Sequence, residues 1–146
     1  FGVWAHDSNG KAGSDSRSYD SHYLRMNFQK DGHRWETRFS LQVAYIDQID
    51  KENQDIRQFI GPASFTIQFI QRFDAWIDKS EISLWVQPGG PYAERWSRGG
   101  YQLSWAFRLG GIHVVPAFYM QYYRGYGETL LNYNEPLNQF RVGLMF

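Results

Sequence analysis

Two residues near the start of the chain have the types and the spacing that nucleophilic chemistry requires. His6 and Ser8 are two positions apart, and residues two apart on a β-strand point to the same face of the sheet. An imidazole beside a hydroxyl accepts its proton while the oxygen attacks a carbonyl carbon. The pair indicates a serine hydrolase, but a histidine and a serine fall at this spacing by chance often enough that the motif needs support.

Asp20 supplies that support if the residues on either side of the Gly- and Ser-rich stretch 9–17 form a β-hairpin. In a register in which paired residue numbers sum to about 26, Asp20 lies opposite His6. A carboxylate in this position holds the imidazole tautomer and stabilises the imidazolium form. The sequence therefore predicts Ser8 as nucleophile, His6 as general base and Asp20 as orienting residue. The alternative is that all three are ordinary polar residues at strand ends.

The elements that would hold these residues are predicted to be β-strands. Apolar and polar side chains alternate with a period of two in eight segments, of which 34–45 is the clearest. Short turns such as Gly110-Gly111 and longer polar loops at 47–59, 88–99 and 125–138 connect the segments. This is the pattern of hairpins joined in order. It predicts an all-β, antiparallel up-and-down barrel without a long helix.

The composition excludes several classes of protein. The chain has 15 basic and 15 acidic side chains and a sequence pI near 7.1, so it has no positive field to recruit nucleic acid. It contains no cysteine, which excludes disulfides, thiolate metal sites and a cysteine nucleophile. No apolar run approaches the roughly 18 residues of a membrane-spanning helix. What remains is a β-protein that either encloses its apolar side chains or exposes them to lipid.

Features of the strands favour exposure to lipid over an apolar interior. Strands of about 9–11 residues suit a tilted membrane crossing, and aromatic side chains near strand ends suit the two membrane interfaces. These aromatic residues are Trp35, Tyr45, Trp76, Tyr101 and Tyr122. The terminal Phe146, preceded by apolar residues at alternate positions, resembles the C-terminal signature of outer-membrane barrels. We therefore expect a transmembrane β-barrel of the bacterial outer membrane.

In such a barrel, His6, Ser8 and Asp20 share the lipid face. A charged group there costs about 2–4 kcal/mol at the bilayer midplane and less near the interface. We therefore expect these residues either to have a function or to lie at the membrane rim. Charged residues on the opposite face predict a salt-bridge network in the lumen without a catalytic role. The residues of that network are Arg34, Glu36, Arg38, Glu81 and Arg108.

Two stretches of sequence carry a resemblance to a known family. Segments 6–10 (HDSNG) and 16–20 (SRSYD) resemble the active-site segment of the outer-membrane phospholipase A family, including the spacing from His6 to Asp20. Segment 125–130 (GYGETL), with Tyr133-Asn134, is similar to the family's segment before its last strand. The resemblance implies a calcium-dependent phospholipase that hydrolyses phospholipid acyl esters (A1/A2 type) with a triad on the lipid-facing wall. The family typically has Asn where this chain has Asp20.

The resemblance also implies a cofactor and a partner. Calcium would be bound by the backbone carbonyl of Lys11, where the family usually has Arg, and by the hydroxyl of Ser16. The backbone N–H of Gly10 would contribute to an oxyanion hole. The active form would be a homodimer. Independently of the resemblance, Glu52 and Asp55 offer carboxylates for a second calcium ion, but an ordinary polar loop is the favoured interpretation.

Family barrels have about twelve strands, which lies within the range for outer-membrane barrels, and this chain offers about eight. We therefore expect residues 1–146 to be a single domain, the C-terminal, catalytic portion of a longer barrel whose N-terminal strands are absent from this chain. Two other functions stay open. One is a non-enzymatic, porin-like barrel or an inactive relative. The other is a soluble β-barrel that binds an apolar ligand in its interior.

Overall fold

A computed structural model describes residues 2–11, 16–74, 76–110 and 117–145 of the 146-residue chain. It contains eight antiparallel strands. They are β1 (Gly2–Ser8), β2 (Ser18–Asp31), β3 (Trp35–Asp47), β4 (Ala63–Arg72), β5 (Ile77–Gly89), β6 (Arg95–Leu109), β7 (Ala117–Gly125) and β8 (Leu137–Met145). The expectations placed on Gly111 and Phe146 lie outside the described residues.

The strands form one sheet in the order β1 to β8, each paired with its neighbours in the chain. Among the described residues no pairing joins β1 to β8, so these two strands are the edges of the sheet. Two short 3₁₀ helices, Lys51–Asn53 and Ile56–Gln58, interrupt the connection between β3 and β4. No helix in the described part of the chain is long and apolar enough to span a membrane. The predicted all-β, antiparallel, up-and-down arrangement is confirmed.

The predicted loop at 88–99 is wrong over most of its length. β5 continues to Gly89 and β6 begins at Arg95, so the connection is only 90–94. The pairing register between the two strands shifts between Gln87 and Gly89, which absorbs extra residues as a bulge. The glycines permit close approach: a Cβ on Gly99 would lie 2.5 Å from the Gln87 carbonyl oxygen. The glycine and proline signals in this stretch therefore mark an irregular hairpin end rather than a loop.

One face of the sheet, termed the apolar face, exposes large apolar side chains. Its exposed members include Leu24, Met26, Phe28, Phe39, Val43, Ile67, Ile82, Leu84, Leu103, Phe118, Val142 and Leu144. A soluble barrel would enclose these side chains in its interior. Their exposure argues against the alternative of a soluble barrel around an apolar ligand.

The opposite face, termed the polar face, carries ion pairs as predicted, but as separate groups rather than one network. Glu36 is buried and pairs with Arg38 and with Arg72, the latter at 3.3 Å. Arg108 pairs with Asp78 at 2.9 Å. The other predicted members form the pairs Arg34–Asp74 and Lys79–Glu81. These contacts satisfy the charges locally, which agrees with the structural role expected for them.

The two ends of the sheet differ in their connections. The connections 32–34 and 73–76 are short and join strands at one end of the sheet, and the longer connections 9–17, 48–62 and 126–136 join strands at the other end. Two of the long connections pack on each other through a small apolar cluster, termed the loop core. Its buried members are Ile46, Ile56, Ile60 and Tyr133, with Tyr19, Ile49, Phe59 and Leu130 packed against them. The Tyr133 hydroxyl donates a hydrogen bond to the Asp55 carboxylate. The loop core fixes the loops beside the strand ends that carry His6 and Asp20.

Candidate active site

The predicted pairing of His6 with Asp20 is present. β1 and β2 pair in the register that sets His6 opposite Asp20, and His6 Nδ1 lies 2.6 Å from Asp20 Oδ1. The His6 side chain is 52% exposed and that of Asp20 only 9%, so the carboxylate lies within the sheet surface and the ring extends outward. Because Nδ1 faces a carboxylate oxygen, it carries the proton, and Nε2 is left to accept one. This is the arrangement that a general base requires.

Asp20 has a second polar neighbour that the sequence interpretation missed. β3 sets Asp47 opposite Asp20 on the side away from His6. The Asp47 carboxylate accepts a hydrogen bond from the backbone N–H of Gln48 at 2.8 Å. Like charges directly opposite each other on neighbouring strands destabilise a sheet. In this row each carboxylate instead has its own hydrogen-bond donor, the His6 ring for Asp20 and the Gln48 N–H for Asp47. His6, Asp20 and Asp47 form one cross-strand row, termed the catalytic row because it contains two of the three residues predicted to be catalytic.

Ser8 lies on the same face of β1 as His6, but the structure does not join the two side chains. The Ser8 Oγ accepts a hydrogen bond from the backbone N–H of Gly10 at 3.1 Å. Within the described residues no hydrogen bond connects Ser8 to the His6 ring. The serine reaches new positions by rotation about a single bond between staggered rotamers. Catalytic hydrogen bonds that are long or absent in a ligand-free enzyme often form when substrate binds.

Asn9 closes the connection between β1 and β2. Its side-chain oxygen accepts hydrogen bonds from the backbone N–H groups of Lys11 and Arg17, at 3.2 and 3.1 Å. Its own N–H donates to the Arg17 carbonyl at 3.0 Å. Gly10 has a φ of +68°, a conformation that favours glycine. These contacts hold the Gly10 N–H beside the Ser8 oxygen. The sequence offered only the general turn preference of asparagine as a signal for this role.

Ser16, a predicted calcium ligand, is held by a carboxylate that the sequence interpretation also missed. The Ser16 hydroxyl donates to Asp50 Oδ2 at 2.9 Å, and the Lys51 backbone N–H donates to Asp50 Oδ1 at 2.8 Å. The Ser16 hydroxyl, followed by the Lys51 N–H, holds the pKa of the Asp50 carboxyl below its ordinary value. The backbone N–H of Asp50 donates to the Ser18 carbonyl at 3.0 Å. The 48–62 connection is thereby tied to the start of β2.

The donor atoms of the two predicted calcium ligands suit a hard cation. The Ser16 hydroxyl and the Lys11 carbonyl are oxygen ligands of the kind that calcium prefers, and Asp50 places a carboxylate beside the first of them. In the part of the chain that the structure describes, no group of three His, Cys, Asp or Glu side chains is placed to hold a metal. A cation bound here would therefore depend mainly on hydroxyl, carbonyl and water oxygens, with Asp50 as the one carboxylate that the structure places beside Ser16. Glu52 is exposed and Asp55 accepts from Tyr133, which agrees with the favoured polar-loop interpretation.

The catalytic row lies at the rim of the apolar face. The next row along the same strands consists of Trp4, His22 and Tyr45. Trp4 is 59% exposed and Tyr45 64% exposed, as aromatic residues of a membrane interface are. Adjacent rows on one face are separated by two residues, or about 7 Å. His6 and Asp20 therefore lie one row beyond the aromatic residues, at the rim and not among the apolar side chains.

The sequence matches a known family over almost its whole length. A family model for phospholipase A1 matches residues 2–146. A phospholipase A1 of Klebsiella pneumoniae is 32% identical, and the match covers 95% of this chain and 42% of the relative. A phospholipase A1 of Escherichia coli K12 is 30% identical over the same shares. The chain thus spans less than half the length of these curated relatives.

Solved structures show the same relation. An outer membrane phospholipase dimer of Salmonella typhi with bound calcium superposes with a TM-score of 0.65 at 25% identity, covering 97% of this chain and 48% of the other. Outer membrane phospholipase A of Escherichia coli gives 0.64 at 26% identity. The eight-stranded sheet matches about half of these barrels, which confirms the predicted fold class. The resemblance seen in the sequence is also confirmed: the chain belongs to the phospholipase A1 family.

Proposed function

We propose that residues 1–146 form the C-terminal, catalytic portion of a calcium-dependent phospholipase of the bacterial outer membrane. The observation that carries the proposal is the 2.6 Å contact between His6 and Asp20, one row beyond an aromatic rim and on the same face as Ser8. Its partial coverage of relatives, 42% and 48% of their lengths, supports the view that further strands complete the barrel. Outer-membrane barrels have short periplasmic turns and longer extracellular loops. The catalytic row would then face the outer leaflet.

The proposed reaction is hydrolysis of a phospholipid acyl ester through an acyl-enzyme. Ser8 Oγ attacks the ester carbonyl carbon, and His6 Nε2 accepts the hydroxyl proton. Asp20 keeps the proton on Nδ1 and stabilises the imidazolium. His6 then returns the proton to the departing alcohol oxygen of the lysolipid. A water molecule, deprotonated by His6, attacks the acyl carbon; the bond to Ser8 Oγ breaks, His6 returns the proton to that oxygen, and the fatty acid leaves.

A rim location suits a membrane substrate. The ester of a phospholipid lies between the head group and the acyl chains, so a nucleophile one row beyond the aromatic residues meets it without extracting the lipid. The acyl chains would rest on the apolar face below, where Leu24 and Val43 are exposed. The backbone N–H of Gly10, which lies 3.1 Å from Ser8 Oγ, is the proposed donor to the oxyanion that forms beside that atom.

We also propose that calcium and a second copy of the protein take part. The Lys11 carbonyl and the Ser16 hydroxyl would hold the ion, which, when bound, supplies positive charge for the developing oxyanion. The Salmonella typhi relative is described as a dimer with bound calcium. The same proposal includes cleavage of both acyl esters of the phospholipid (A1 and A2 activity). It also includes the serine mechanism.

The experiment uses the full-length protein in detergent micelles that contain a fluorogenic phospholipid. We expect Ser8→Ala to lower hydrolysis by about 10³-fold or more, as removal of a triad serine does. Chelation should abolish activity and added calcium should restore it. Ser64→Ala, on the polar face, is the control and should retain activity. Full activity in Ser8→Ala would exclude the nucleophile role, and a folded wild-type barrel without hydrolysis would favour the porin-like alternative.

A further inference from the structure

A second polar site interrupts the apolar face near the opposite edge of the sheet, on β6, β7 and β8. An open groove of about 1020 Å³ lies at the long-loop ends of these strands. Among the residues that line it are Trp96, Tyr101, Arg124, Leu137 and Asn138, and none of its lining residues is an aspartate or a glutamate. The groove therefore combines one cation with aromatic and amide groups and has no acid.

Arg124 is distinguished from the other arginines of the chain by its lack of a partner. Across the described residues its side chain has no hydrogen bond, ion pair or aromatic ring contact, although its backbone pairs with the neighbouring strands. The other ten arginines all have one; Arg98, for example, donates to Gln58 and lies over the Phe59 ring, and Arg141 pairs with Glu128. An exposed guanidinium presents its donors to whatever fills the groove. Such a fork matches the oxygens of a phosphate.

The strand register places Arg124 at the top of an apolar wall. Tyr101, Arg124 and Asn138 form one cross-strand row on the apolar face. The rows below it are Leu103, Tyr122 and Phe140, then Trp105, Met120 and Val142, then Phe107, Phe118 and Leu144. Phe140 is 64% and Val142 69% exposed. The polar row is thus continuous with about 20 Å of apolar surface, taken along the strands at two residues per row.

We propose that this groove binds an anionic membrane lipid, with its phosphate on Arg124 and its acyl chain along Leu103, Tyr122 and Phe140. Asn138, in the same row, supplies a neighbouring amide donor. The Tyr101 hydroxyl donates to the Trp96 carbonyl at 2.5 Å and so fixes the start of β6 above the wall. A free anion would use only the arginine, whereas a lipid uses the whole surface. The proposal rests on the membrane orientation given above and not on ester hydrolysis.

Native mass spectrometry of the full-length protein in detergent tests this binding. The probes are diether phosphatidylglycerol, which is anionic, and diether phosphatidylcholine, which is zwitterionic; neither contains an ester that the protein could cleave. We expect the wild-type protein to prefer the anionic lipid by about fivefold, since one arginine at an anionic surface contributes about 1 kcal/mol. Arg124→Gln should reduce the ratio to about one. Asn138→Ala should reduce it by a smaller factor, about twofold.

Arg98→Gln is the matched control, because it removes the same charge near the same end of the sheet without lining the groove. It should keep the preference. The proposal is overturned if Arg124→Gln keeps the preference, if Arg98→Gln loses it equally, or if glycerol phosphate displaces the lipid as effectively as diether phosphatidylglycerol does. Repeating the measurement on Ser8→Ala separates the two proposals, because loss of hydrolysis with an unchanged lipid preference concerns the catalytic row alone.

Discussion

The rim of the apolar face at the long-loop end carries two polar sites, and their charged groups are partnered in opposite ways. In the catalytic row, His6 Nδ1 lies 2.6 Å from Asp20 Oδ1, and the Asp47 carboxylate accepts a hydrogen bond from the Gln48 backbone N–H. In the groove on β6, β7 and β8, the Arg124 side chain has no partner in the described part of the chain, and none of the lining residues is an aspartate or a glutamate. Because His6 and Asp20 bind each other, their site needs no counter-ion from the lipid, which suits hydrolysis of a neutral ester. We term His6 and Asp20 the closed pair. An unpartnered cation instead suits an anionic head group.

Among the substitutions that separate the two sites, removal of His6 should have the largest effect on hydrolysis. We expect His6→Ala to lower ester hydrolysis by about 10³-fold or more, because the serine loses its base while the rest of the site stays in place. His22→Ala is the matched control, since His22 lies one row away on the same face of β2. It should change the rate by less than about threefold. Initial rates on the micellar fluorogenic substrate measure both.

Two results would contradict a chemical role for the closed pair. One is an equal loss in His6→Ala and His22→Ala, which would point to a general requirement for the rim. The other is a His6→Ala protein that keeps its rate. Circular dichroism and heat-dependent gel migration show whether each variant still forms its β-sheet.

Asp20→Asn separates the charge of the closed pair from its hydrogen bond. The amide oxygen still accepts from Nδ1, so the ring keeps its orientation, but the imidazolium loses a full negative charge beside it. Because the ring keeps its orientation, we expect hydrolysis to fall by less than the roughly 10⁴-fold that this change costs in a serine-protease triad, and Asp20→Ala to lower it further. Unfolding in urea should show Asp20→Asn as stable as wild type to within about 0.5 kcal/mol, because repulsion from Asp47 is relieved at the same time. A rate in Asp20→Asn as low as that of Asp20→Ala would assign the whole effect to charge.

The sequence predicted the parts of the molecule that depend on short-range pattern. Alternation with a period of two defines the strands, and a turn of known length sets the register that joins His6 to Asp20. The contacts that escaped prediction join distant segments: Asp47 meets Asp20 through the β2–β3 pairing, and Asp50 meets Ser16 across 34 positions. Neither has a local signal. The predicted loop at 88–99 is instead the irregular end of a hairpin, because glycine marks both loops and bulges.

The role of Arg124 also could not be predicted from the sequence. In the sequence it is one arginine among 15 basic residues, beside a glycine at the end of a strand. Its side chain has no partner among the residues that the structure describes, and this can be seen only when the neighbouring strands and loops are placed. Burial and pairing are properties of the assembled sheet. Polar rims on an exposed apolar face are therefore found by structure and only suspected from sequence.

The smallest expected effect concerns the loop core, which packs beside the strand ends that carry the catalytic row. Ile46 and Tyr19 of the core precede Asp47 and Asp20 in their strands. Tyr133→Phe removes the hydroxyl that donates to Asp55 but keeps the ring against Phe59. We expect a loss of about 1 kcal/mol in the free energy of unfolding by urea and about a twofold fall in hydrolysis. The exposed Tyr92→Phe is the control and should show neither effect.

The pH dependence of stability tests the same contact. Burial, with the Asp55 hydrogen bond, raises the pKa of Tyr133 above its ordinary value. A group with a raised folded-state pKa contributes stability that is complete below its unfolded pKa, about 10 for tyrosine, and is lost as pH rises through the folded value. The wild-type protein should therefore lose stability above about pH 10 more steeply than Tyr133→Phe. Parallel curves for the two proteins would show that the hydroxyl does not hold the loops, and that the catalytic row stands on its strands alone.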